Sequence, residues 1–367
     1  MLLNITALPG DGIGPEVTDE GIKVLDTVAE LFGHQLQLNK KNIGGAALLA
    51  SNDPLPADTL QACLASSAVL LGAVGGPAFD KYPSHLRPEA GLLRLRRELG
   101  VFANLRPATC LPGLEECSPL RAEVVRGTDL VIVRELLGGI YFGEPRETKG
   151  ATGSRIATDT MRYAEFEIER IAHIAFRMAQ ARKRKLMSVD KANVLDCSRL
   201  WRSVVNSVAR HYPDVALTHM YVDSAAMALV ARPSEFDVVL TENMFGDILS
   251  DQAGAVVGSL GILGSASIGG KVGLYEPIHG SAPDIGGKNV ANPIGAIASV
   301  AMMLRHAFNL EAEAQRVEAA VKKVLETGAR SRDIARSGES SLSTEQMGTR
   351  IKGALLKVAE NTPMVPG

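Results

Sequence analysis

Residues 2–17 read LLNITALPGDGIGPEV, an apolar run followed by a glycine-rich turn and the start of a helical pattern. The run Leu2–Leu8 predicts a buried strand, and the segment from about residue 15 to 32 predicts a helix. The turn glycines are spaced Gly-x-Gly-x-Gly, and Pro15 takes the last glycine position of the dinucleotide fingerprint. The stretch therefore predicts a strand–turn–helix corner and is only weak evidence for a nucleotide site.

Apolar runs and helical patterns alternate along the rest of the chain. The predicted strands are 68–74, 129–133, 185–189 and 237–240. The predicted helices are 163–182, 293–304 and 311–325. Alternation of this kind predicts an α/β protein whose helices flank its sheet.

The composition limits the function classes. The 367 residues include 39 Lys+Arg and 41 Asp+Glu, for a formal charge of −2. This length predicts about two domains. Near-neutral charge argues against a nucleic-acid binder, and 46% hydrophobic residues argue against disorder.

The cysteines and the N-terminus bear on compartment. Four Cys without a Cys-x-x-Cys pair predict neither a disulfide scaffold nor a zinc ribbon. The first residues lack the basic region of a signal peptide, and the uncharged stretch 252–270 is too rich in Gly and Ser for a spanning helix. We therefore expect a soluble, cytoplasmic protein without a membrane segment.

Three arginines are candidates for binding an acidic substrate. Arg134 follows the predicted strand 129–133, where α/β sheets bind ligands, whereas Arg96 ends the segment GLLRLR and Arg106 lies in NLRP. Guanidinium binds carboxylate in a bidentate manner, so the set suits a dicarboxylate. Taken singly, each arginine would more often be a surface or ion-pair residue.

Two acids follow a predicted strand in NMFGDILSD. Asp247 and Asp251 are four residues apart and share a face on a helix, where their like charges repel. A divalent cation with oxygen ligands, such as Mg²⁺, would relieve the repulsion. The alternative is an acidic helix start stabilised by the helix dipole.

Two further residues are candidates for proton transfer. Lys191 leaves an apolar strand, where desolvation lowers the pKa of an amine, although an ordinary exposed lysine fits as well. Tyr141 stands between glycines that let a ligand approach, although a structural tyrosine fits as well.

The loop 275–284 is long, polar and non-periodic, which is typical of a functional loop. His279 and Asn292 offer hydrogen bonds for an adenine. Asp284 offers an acceptor for ribose hydroxyls and would repel a 2′-phosphate, which favours NAD over NADP.

Together these motifs resemble the β-decarboxylating dehydrogenases of the isocitrate/isopropylmalate type, and among them the 3-isopropylmalate dehydrogenases. The resemblance runs from about Leu8 to near Leu325. It is carried in order by LPGDGIGPEV, RPEAGLLRLR, NLRP, VRELLGGIYFGEPR, VDKANVL, NMFGDILSD and HGSAPD.

The resemblance implies an α/β fold of two domains that is not a standard Rossmann fold. Residues 1–101 with 258–367 would form a larger, discontinuous, NAD-binding domain. Residues 102–257 would form a smaller domain with the dimer interface. The active site would lie in the cleft between them.

The implied reaction is the NAD-dependent oxidative decarboxylation of 3-isopropylmalate to 4-methyl-2-oxopentanoate in leucine biosynthesis. The apolar Leu92 suits an isopropyl group, whereas a third carboxylate would be left unpaired there. A sibling enzyme acting on D-malate or tartrate is the nearest alternative. A solute-binding protein would not explain the acids, Lys191 and Tyr141 together, and a phosphohydrolase would need a phosphate-binding loop that is not found.

The resemblance also assigns roles residue by residue. The catalytic residues would be Tyr141, as the acid that protonates the enol, and Lys191, as the base that relays the hydroxyl proton. The substrate-binding residues would be Leu92, Arg96, Arg106, Arg134 and Asp223. The ligands of Mg²⁺ or Mn²⁺ would be Asp223, Asp247 and Asp251. The cofactor-binding residues would be Gly76, Glu89, His279, Gly280, Ser281, Ala282, Asp284 and Asn292.

A homodimer is implied as well, with Lys191 and Asp223 given to the site of the other subunit. Neither nucleic acid nor membrane is expected as a partner. Glu242 departs from the family pattern, where a small residue is often seen, and the sequence leaves the direction of its side chain open.

Overall fold

The structure, a computed structural model, describes residues 1–360 and the side chains of residues 1–357. Its strands are β1 (Leu2–Gly10), β2 (Gln35–Lys40), β3 (Ala68–Ala73), β4 (Ala103–Thr109), β5 (Asp129–Glu135), β6 (Glu147–Lys149), β7 (Ile156–Thr158), β8 (Lys185–Asp190), β9 (Ala216–Tyr221), β10 (Val238–Thr241), β11 (Gly264–Ile268) and β12 (Gly273–Pro277). Its helices are α1 (Gly14–Phe32), α2 (Gly44–Ser51), α3 (Ala57–Ala65), α4 (Pro88–Leu99), α5 (Ala122–Val125), α6 (Glu165–Gln180), α7 (Asp196–Ala209), α8 (Val222–Ala231), α9 (Asn243–Val257), α10 (Ile294–Phe308), α11 (Glu311–Glu326) and α12 (Thr344–Glu360). The predicted α/β fold is confirmed.

The chain forms two compact units. The first comprises Met1–Val101, Leu111–Pro119 and the chain from Gly258 onward. The second comprises Phe102–Cys110 and Leu120–Val257.

One segment belongs to a different unit from the one that the sequence predicts. Residues 111–119, expected in the smaller domain, belong to the first unit. The physical reason is hydrogen bonding. The Cys117 thiol donates to the carbonyl of Ile334 at 3.2 Å, and Arg330 donates to the carbonyl of Gly113 at 2.8 Å. Residues 361–367, assigned by sequence to the larger domain, lie outside the described residues.

The first unit is built on the strand order β2-β1-β3-β12-β11. All its neighbours run parallel except β11, which is antiparallel to β12. Every residue of β3 is buried, as expected for a strand covered on both faces. Helix α1 starts with Pro15 in its first turn and ends at Gly33 in the left-handed conformation, both favoured positions for these residues.

The second unit is built on the strand order β4-β5-β10-β8-β9. Strand β4 is antiparallel to β5, and the other neighbours are parallel. The parallel strands therefore end at one edge, and Arg134, Lys191 and the start of α9 lie at or just beyond their last residues. Among residues 1–360, no helix is long and apolar enough to cross a membrane.

Candidate active site

Five of the predicted site residues come together in the second unit, with Asp247 at the centre of the other four. Its Oδ1 accepts a hydrogen bond from Arg134 Nη1 and lies 3.4 Å from Arg106 Nη1. Its Oδ2 accepts one from the Tyr141 hydroxyl at 3.0 Å. Asp251 joins through its Oδ1, 3.2 Å from Arg106 Nη1. The cluster thus joins two cations, two carboxylates and one phenol.

Local structure explains why these side chains meet. In the β4–β5 ladder Arg106 is opposite Ile132, two residues before Arg134, so both arginines project from the same face. Asp247 and Asp251 are one turn apart on α9, which begins directly after β10. The repulsion expected between the two acids is thus offset by arginines of the same unit.

Tyr141 ends a short 3₁₀ turn, Gly139–Tyr141. Burial and then the nearby charge of Asp247 raise the pKa of its hydroxyl above the ordinary value. The phenol therefore carries its proton at neutral pH and donates a hydrogen bond to Oδ2 of Asp247. This is the state that a general acid requires.

The carboxylates of Asp247 and Asp251 are suitable ligands for a hard divalent cation. Their oxygens converge on one arginine nitrogen, and partial desolvation raises the pKa of the Asp251 carboxyl, although this side chain is 55% exposed. Carboxylate oxygens are the ligands that Mg²⁺ and Mn²⁺ favour. Within the described residues, however, no three or more His, Cys, Asp or Glu side chains are placed to hold a metal. One chain therefore does not assemble the triad with Asp223.

Lys191 and Asp223 instead pair with each other. Lys191 follows β8 and Asp223 lies in the first turn of α8, and the Nζ–Oδ1 distance is 2.5 Å. The hydrogen bond from Lys191 lowers the pKa of Asp223. The two side chains are 27% and 61% exposed, so this pair faces solvent far more than Arg134 does, which is 2% exposed.

The structure also gives the direction of Glu242. Its carboxylate turns inward, is 3% exposed and accepts hydrogen bonds from the backbone N–H groups of Met244 and Phe245 at 3.0 and 2.8 Å. Tyr163 donates its hydroxyl to it at 3.3 Å. Glu242 therefore caps the start of α9, and burial raises its pKa.

In the first unit, α4 carries the predicted residues Glu89, Leu92 and Arg96. Arg96 is buried and donates to Glu276 Oε1 at 2.7 Å. Leu92 is half-buried, and Glu89 is exposed. The Glu89 carboxylate lies so close to Gly75 that a Cβ there would be 2.4 Å from its Oε1. Glu276 belongs to the loop 275–284 that the sequence marks as functional, but spacing alone gave no sign that it pairs with Arg96.

The glycine turn of residues 10–14 contains a residue that the sequence analysis left without a role. Asp11 accepts hydrogen bonds from the N–H groups of Gly45, Ala46 and Gly75, each at 2.8 Å. The carboxylate thus fastens the start of α2 to the chain next to Gly76. Together with Gly12 and Pro283, these backbones line an open cavity of about 350 Å³.

The loop from His279 to Asp284 keeps its predicted polar character. His279 Nδ1 lies 2.9 Å from the carbonyl of Gly280, whereas its Nε2 is buried and has no hydrogen-bond partner within residues 1–360. Burial lowers the pKa of this imidazole. Because a carbonyl only accepts, Nδ1 carries the proton and Nε2 is an acceptor. An unsatisfied buried acceptor of this kind fits the amino group of an adenine.

Other members of this loop are held by backbone contacts. The Ser281 carbonyl accepts from Ile13 at 2.8 Å, which joins the loop to the glycine turn. Ala282 has a φ of 38°, and Asp284 is exposed. Asn292 caps α10 by accepting from Ile294 and donates to Asp333 Oδ2, both at 3.0 Å. Asp333 is a second residue that sequence analysis missed.

Buried arginines, paired acids and a protonated tyrosine at the strand ends of an α/β unit define an enzyme for a small acidic substrate. Comparison with known proteins gives the family. The family model described as isocitrate/isopropylmalate dehydrogenase matches residues 4–351. The chain belongs to this family and is an oxidoreductase, as the sequence motifs predicted.

Individual relatives agree. The chain is 56% identical to the 3-isopropylmalate dehydrogenase of Nitratidesulfovibrio vulgaris, over 96% of this chain and 99% of that protein. It is 54% identical to the enzyme of the same name from Bacillus subtilis, over 99% of both chains. Among solved structures, it resembles isocitrate dehydrogenase from Methylococcus capsulatus with a TM-score of 0.86 and 35% identity, over 96% of this chain and 98% of that one.

Proposed function

We propose that this protein catalyses the NAD-dependent oxidative decarboxylation of 3-isopropylmalate to 4-methyl-2-oxopentanoate, a step of leucine biosynthesis. The relatives of that name, matched over nearly their whole length, support this substrate. The structural observation that supports it most is the convergence of Arg106, Arg134 and Tyr141 on Asp247. That set contains the charges and the proton donor that a decarboxylating dehydrogenase needs.

Substrate binding is assigned to the arginines and to one leucine. Arg96, Arg106 and Arg134 bind the two carboxylates, since guanidinium stays charged and bonds two oxygens at once. Each lies beside a carboxylate of its own unit, which supports a role in binding anionic groups. Leu92 receives the isopropyl group.

Proton transfers are assigned to two residues. Lys191 accepts the proton of the substrate hydroxyl as hydride leaves the adjoining carbon. After loss of CO₂, Tyr141 donates its proton to the enolate carbon, and its raised pKa keeps that proton available. Asp247, the acceptor of the Tyr141 hydrogen bond, holds the phenol in place.

The bound cation and the cofactor are assigned from the donors present. Asp247 and Asp251, with Asp223 of the partner subunit, hold Mg²⁺ or Mn²⁺, which when bound polarises the substrate oxygens. NAD, when bound, accepts the hydride. The residues assigned to its binding are Gly76, Glu89, His279, Gly280, Ser281, Ala282, Asp284 and Asn292. The exposed Asp284 carboxylate supports NAD over NADP.

A homodimer completes the site in this proposal, because Lys191 and Asp223 pair apart from the cluster. Helices α8 and α9 pack together, with Gln252 Nε2 donating to the carbonyl of Ala226 at 2.6 Å. They leave Met227, Val230 and Ile248 exposed by 66%, 41% and 59%. Apolar side chains exposed side by side favour a second copy as the occupant. Within residues 1–360 the cysteines form no disulfide, which supports a cytoplasmic location.

The test is NADH formation with a divalent cation, with 3-isopropylmalate, D-malate, tartrate and isocitrate offered in parallel. We expect a large preference for 3-isopropylmalate, abolished by EDTA and poor with NADP⁺. Equal or faster turnover of D-malate or tartrate would keep the site assignments and replace the substrate.

A further inference from the structure

Asn243 lies at the centre of the cluster without having been assigned any role. It is the first residue of α9 and is fully buried. Its Oδ1 accepts two hydrogen bonds from Arg134, from Nε at 2.9 Å and from Nη2 at 2.7 Å. Its Nδ2 donates to the carbonyls of Leu136 and Gly138 at 3.1 and 3.0 Å.

The chemistry of this position calls for an amide. The side chain supplies two acceptor and two donor contacts at once, which is the whole capacity of an asparagine. An aspartate would keep the bonds to Arg134 and lose both donors to the chain after β5. An alanine would leave buried carbonyls and a buried guanidinium edge without these partners, which is costly.

The consequence for Arg134 is a fixed orientation. Guanidinium is planar, so bonds at Nε and Nη2 set the plane of the whole group and direct Nη1 toward Asp247. The same amide ties the chain through Gly138, which leads into the turn that carries Tyr141. One side chain therefore fixes both the orientation of Arg134, the proposed substrate-binding cation, and the segment that leads to Tyr141, the proposed proton donor.

Asn243 is itself held at two points. Its backbone N–H donates to the Tyr163 hydroxyl at 3.0 Å. The preceding residue, Glu242, caps the first turn of α9. The amide is thus anchored by its own backbone rather than by the groups that it orients.

We propose that Asn243 is a positioning residue for the reaction, which orients Arg134 for the substrate carboxylate and fixes the turn of Tyr141. This inference rests on the proposed function, in which Arg134 binds substrate. It predicts an effect on substrate binding that passes through Arg134 and an effect on turnover that passes through the turn.

The experiment is a double-mutant cycle on the full-length enzyme with Asn243→Ala and Arg134→Ala. In Asn243→Ala we expect the KM for 3-isopropylmalate to rise by ~10- to 100-fold, the KM for NAD to change less than about twofold, and kcat to fall. In the Arg134→Ala background the same substitution should leave the KM for substrate unchanged and still lower kcat.

The matched control is Asp237→Asn, a buried polar residue just before β10, at the opposite end of that strand from Asn243. Asp237 accepts from Arg182 Nε at 2.7 Å and from the Lys183 N–H at 3.0 Å, neither of which belongs to the cluster. Asp237→Asn should lower the melting temperature without raising the KM for 3-isopropylmalate relative to the KM for NAD. If Asn243→Ala does not fold, Tyr163→Phe removes the acceptor of the Asn243 backbone N–H and the hydrogen bond to Glu242, leaves the Asn243 amide intact, and should raise the KM for substrate a few-fold.

The outcomes separate this inference from the proposed function. If Arg134→Ala raises the KM for substrate and folded Asn243→Ala does not, the inference fails and the proposed function stands. A rise of equal size in the Arg134→Ala background also overturns the inference. If Arg134→Ala itself leaves that KM unchanged, both are overturned. An unchanged KM in Tyr163→Phe, where Asn243→Ala is unfolded, counts against the inference alone.

Discussion

The Asp247 cluster and the Lys191–Asp223 pair lie in the same unit, yet they are built in different ways. In the cluster, Arg134 is 2% exposed and its guanidinium is bonded to both Asp247 and Asn243. In the pair, one contact joins two side chains that are 27% and 61% exposed. The cluster is held by several hydrogen bonds within the chain, whereas the pair is held by one contact and is more exposed to solvent.

The difference bears on what each region contributes. A buried cation whose orientation is already fixed meets an incoming anion with little further loss of its own hydration. An exposed pair gains little from its own contact, since such pairs contribute about 0–1 kcal/mol. The pair therefore suits a role completed by another molecule, as in the proposed dimer, and the substitutions below separate the two regions.

The largest effect is expected from Asp247→Asn. The substitution removes the charge of a proposed metal ligand and replaces one of the two oxygens that accept from Arg134 and Tyr141 with an amide donor, so kcat/KM should fall by roughly 10³-fold. It also leaves the buried Arg134 without its carboxylate, so the melting temperature should fall by several degrees. Steady-state kinetics and thermal denaturation measure the two effects.

The neighbouring acid sharpens this result. Asp251 is 55% exposed and meets the cluster through Arg106, so Asp251→Asn should cost less stability than Asp247→Asn. An equal loss of stability in the two variants would contradict the view that the Arg134 contact holds the cluster. Glu169→Gln, at an exposed position of α6, is the control for charge alone.

Lys191→Met should separate activity from stability. Loss of the proposed base predicts a fall in kcat of ~10²- to 10⁴-fold. Because the lysine pairs at the surface, the melting temperature should change by less than about 2 °C. A large drop in melting temperature would show that the pair is as structural as the cluster.

Mixed dimers of two inactive variants test which subunit receives the pair. Coexpression of differently tagged Asp247→Asn and Lys191→Met chains yields a dimer in which, if Lys191 serves the other subunit, one of two sites is complete. The purified mixed dimer should then recover about half the wild-type activity. If Lys191 served its own chain, neither site would be complete and the mixed dimer would stay inactive.

The sequence predicted the members of both regions but not the contacts within them. Strand ends and the four-residue spacing of Asp247 and Asp251 follow from local periodicity, and the arginines were candidates by position and charge, whereas Asp223 came only from the resemblance. Asn243 stood within a quoted motif and Glu276 within the loop 275–284, yet their partners are distant in the chain. Such pairing depends on the assembled sheet.

The same reason explains two other differences. Phe166 is an apolar residue of the predicted helix 163–182, yet it is 62% exposed, and its ring lies 5.5 Å from the guanidinium carbon of Arg170. Residues 111–119 were assigned to the smaller domain by the family resemblance, whereas they belong to the first unit, to which single hydrogen bonds join them. Neither contact leaves a periodic trace in the sequence.

The smallest effect concerns Glu135, which follows Arg134 at the buried end of β5. Its carboxylate accepts from the N–H of Gly138 at 2.6 Å and from Arg170 at 3.3 Å. Burial nevertheless raises its pKa from 4.5 to about 7. Since the folded state holds the proton more tightly than the unfolded chain, this group favours folding most below pH 4.5, and its contribution is lost as pH rises to about 7.

Glu135→Gln removes that dependence. Relative to the wild type, the variant should gain on the order of 2 kcal/mol of stability between pH 5 and pH 8, at about 1.4 kcal/mol per unit of pKa. The amide places a donor near the N–H of Gly138, which costs stability equally at both values of pH, so the change with pH is the quantity that matters. Urea denaturation at the two values of pH measures it, with Glu169→Gln as control. If the difference in unfolding free energy between variant and wild type does not change with pH, the Arg134 end of β5 is more hydrated than its burial indicates. The cluster would then differ less in hydration from the exposed Lys191–Asp223 pair.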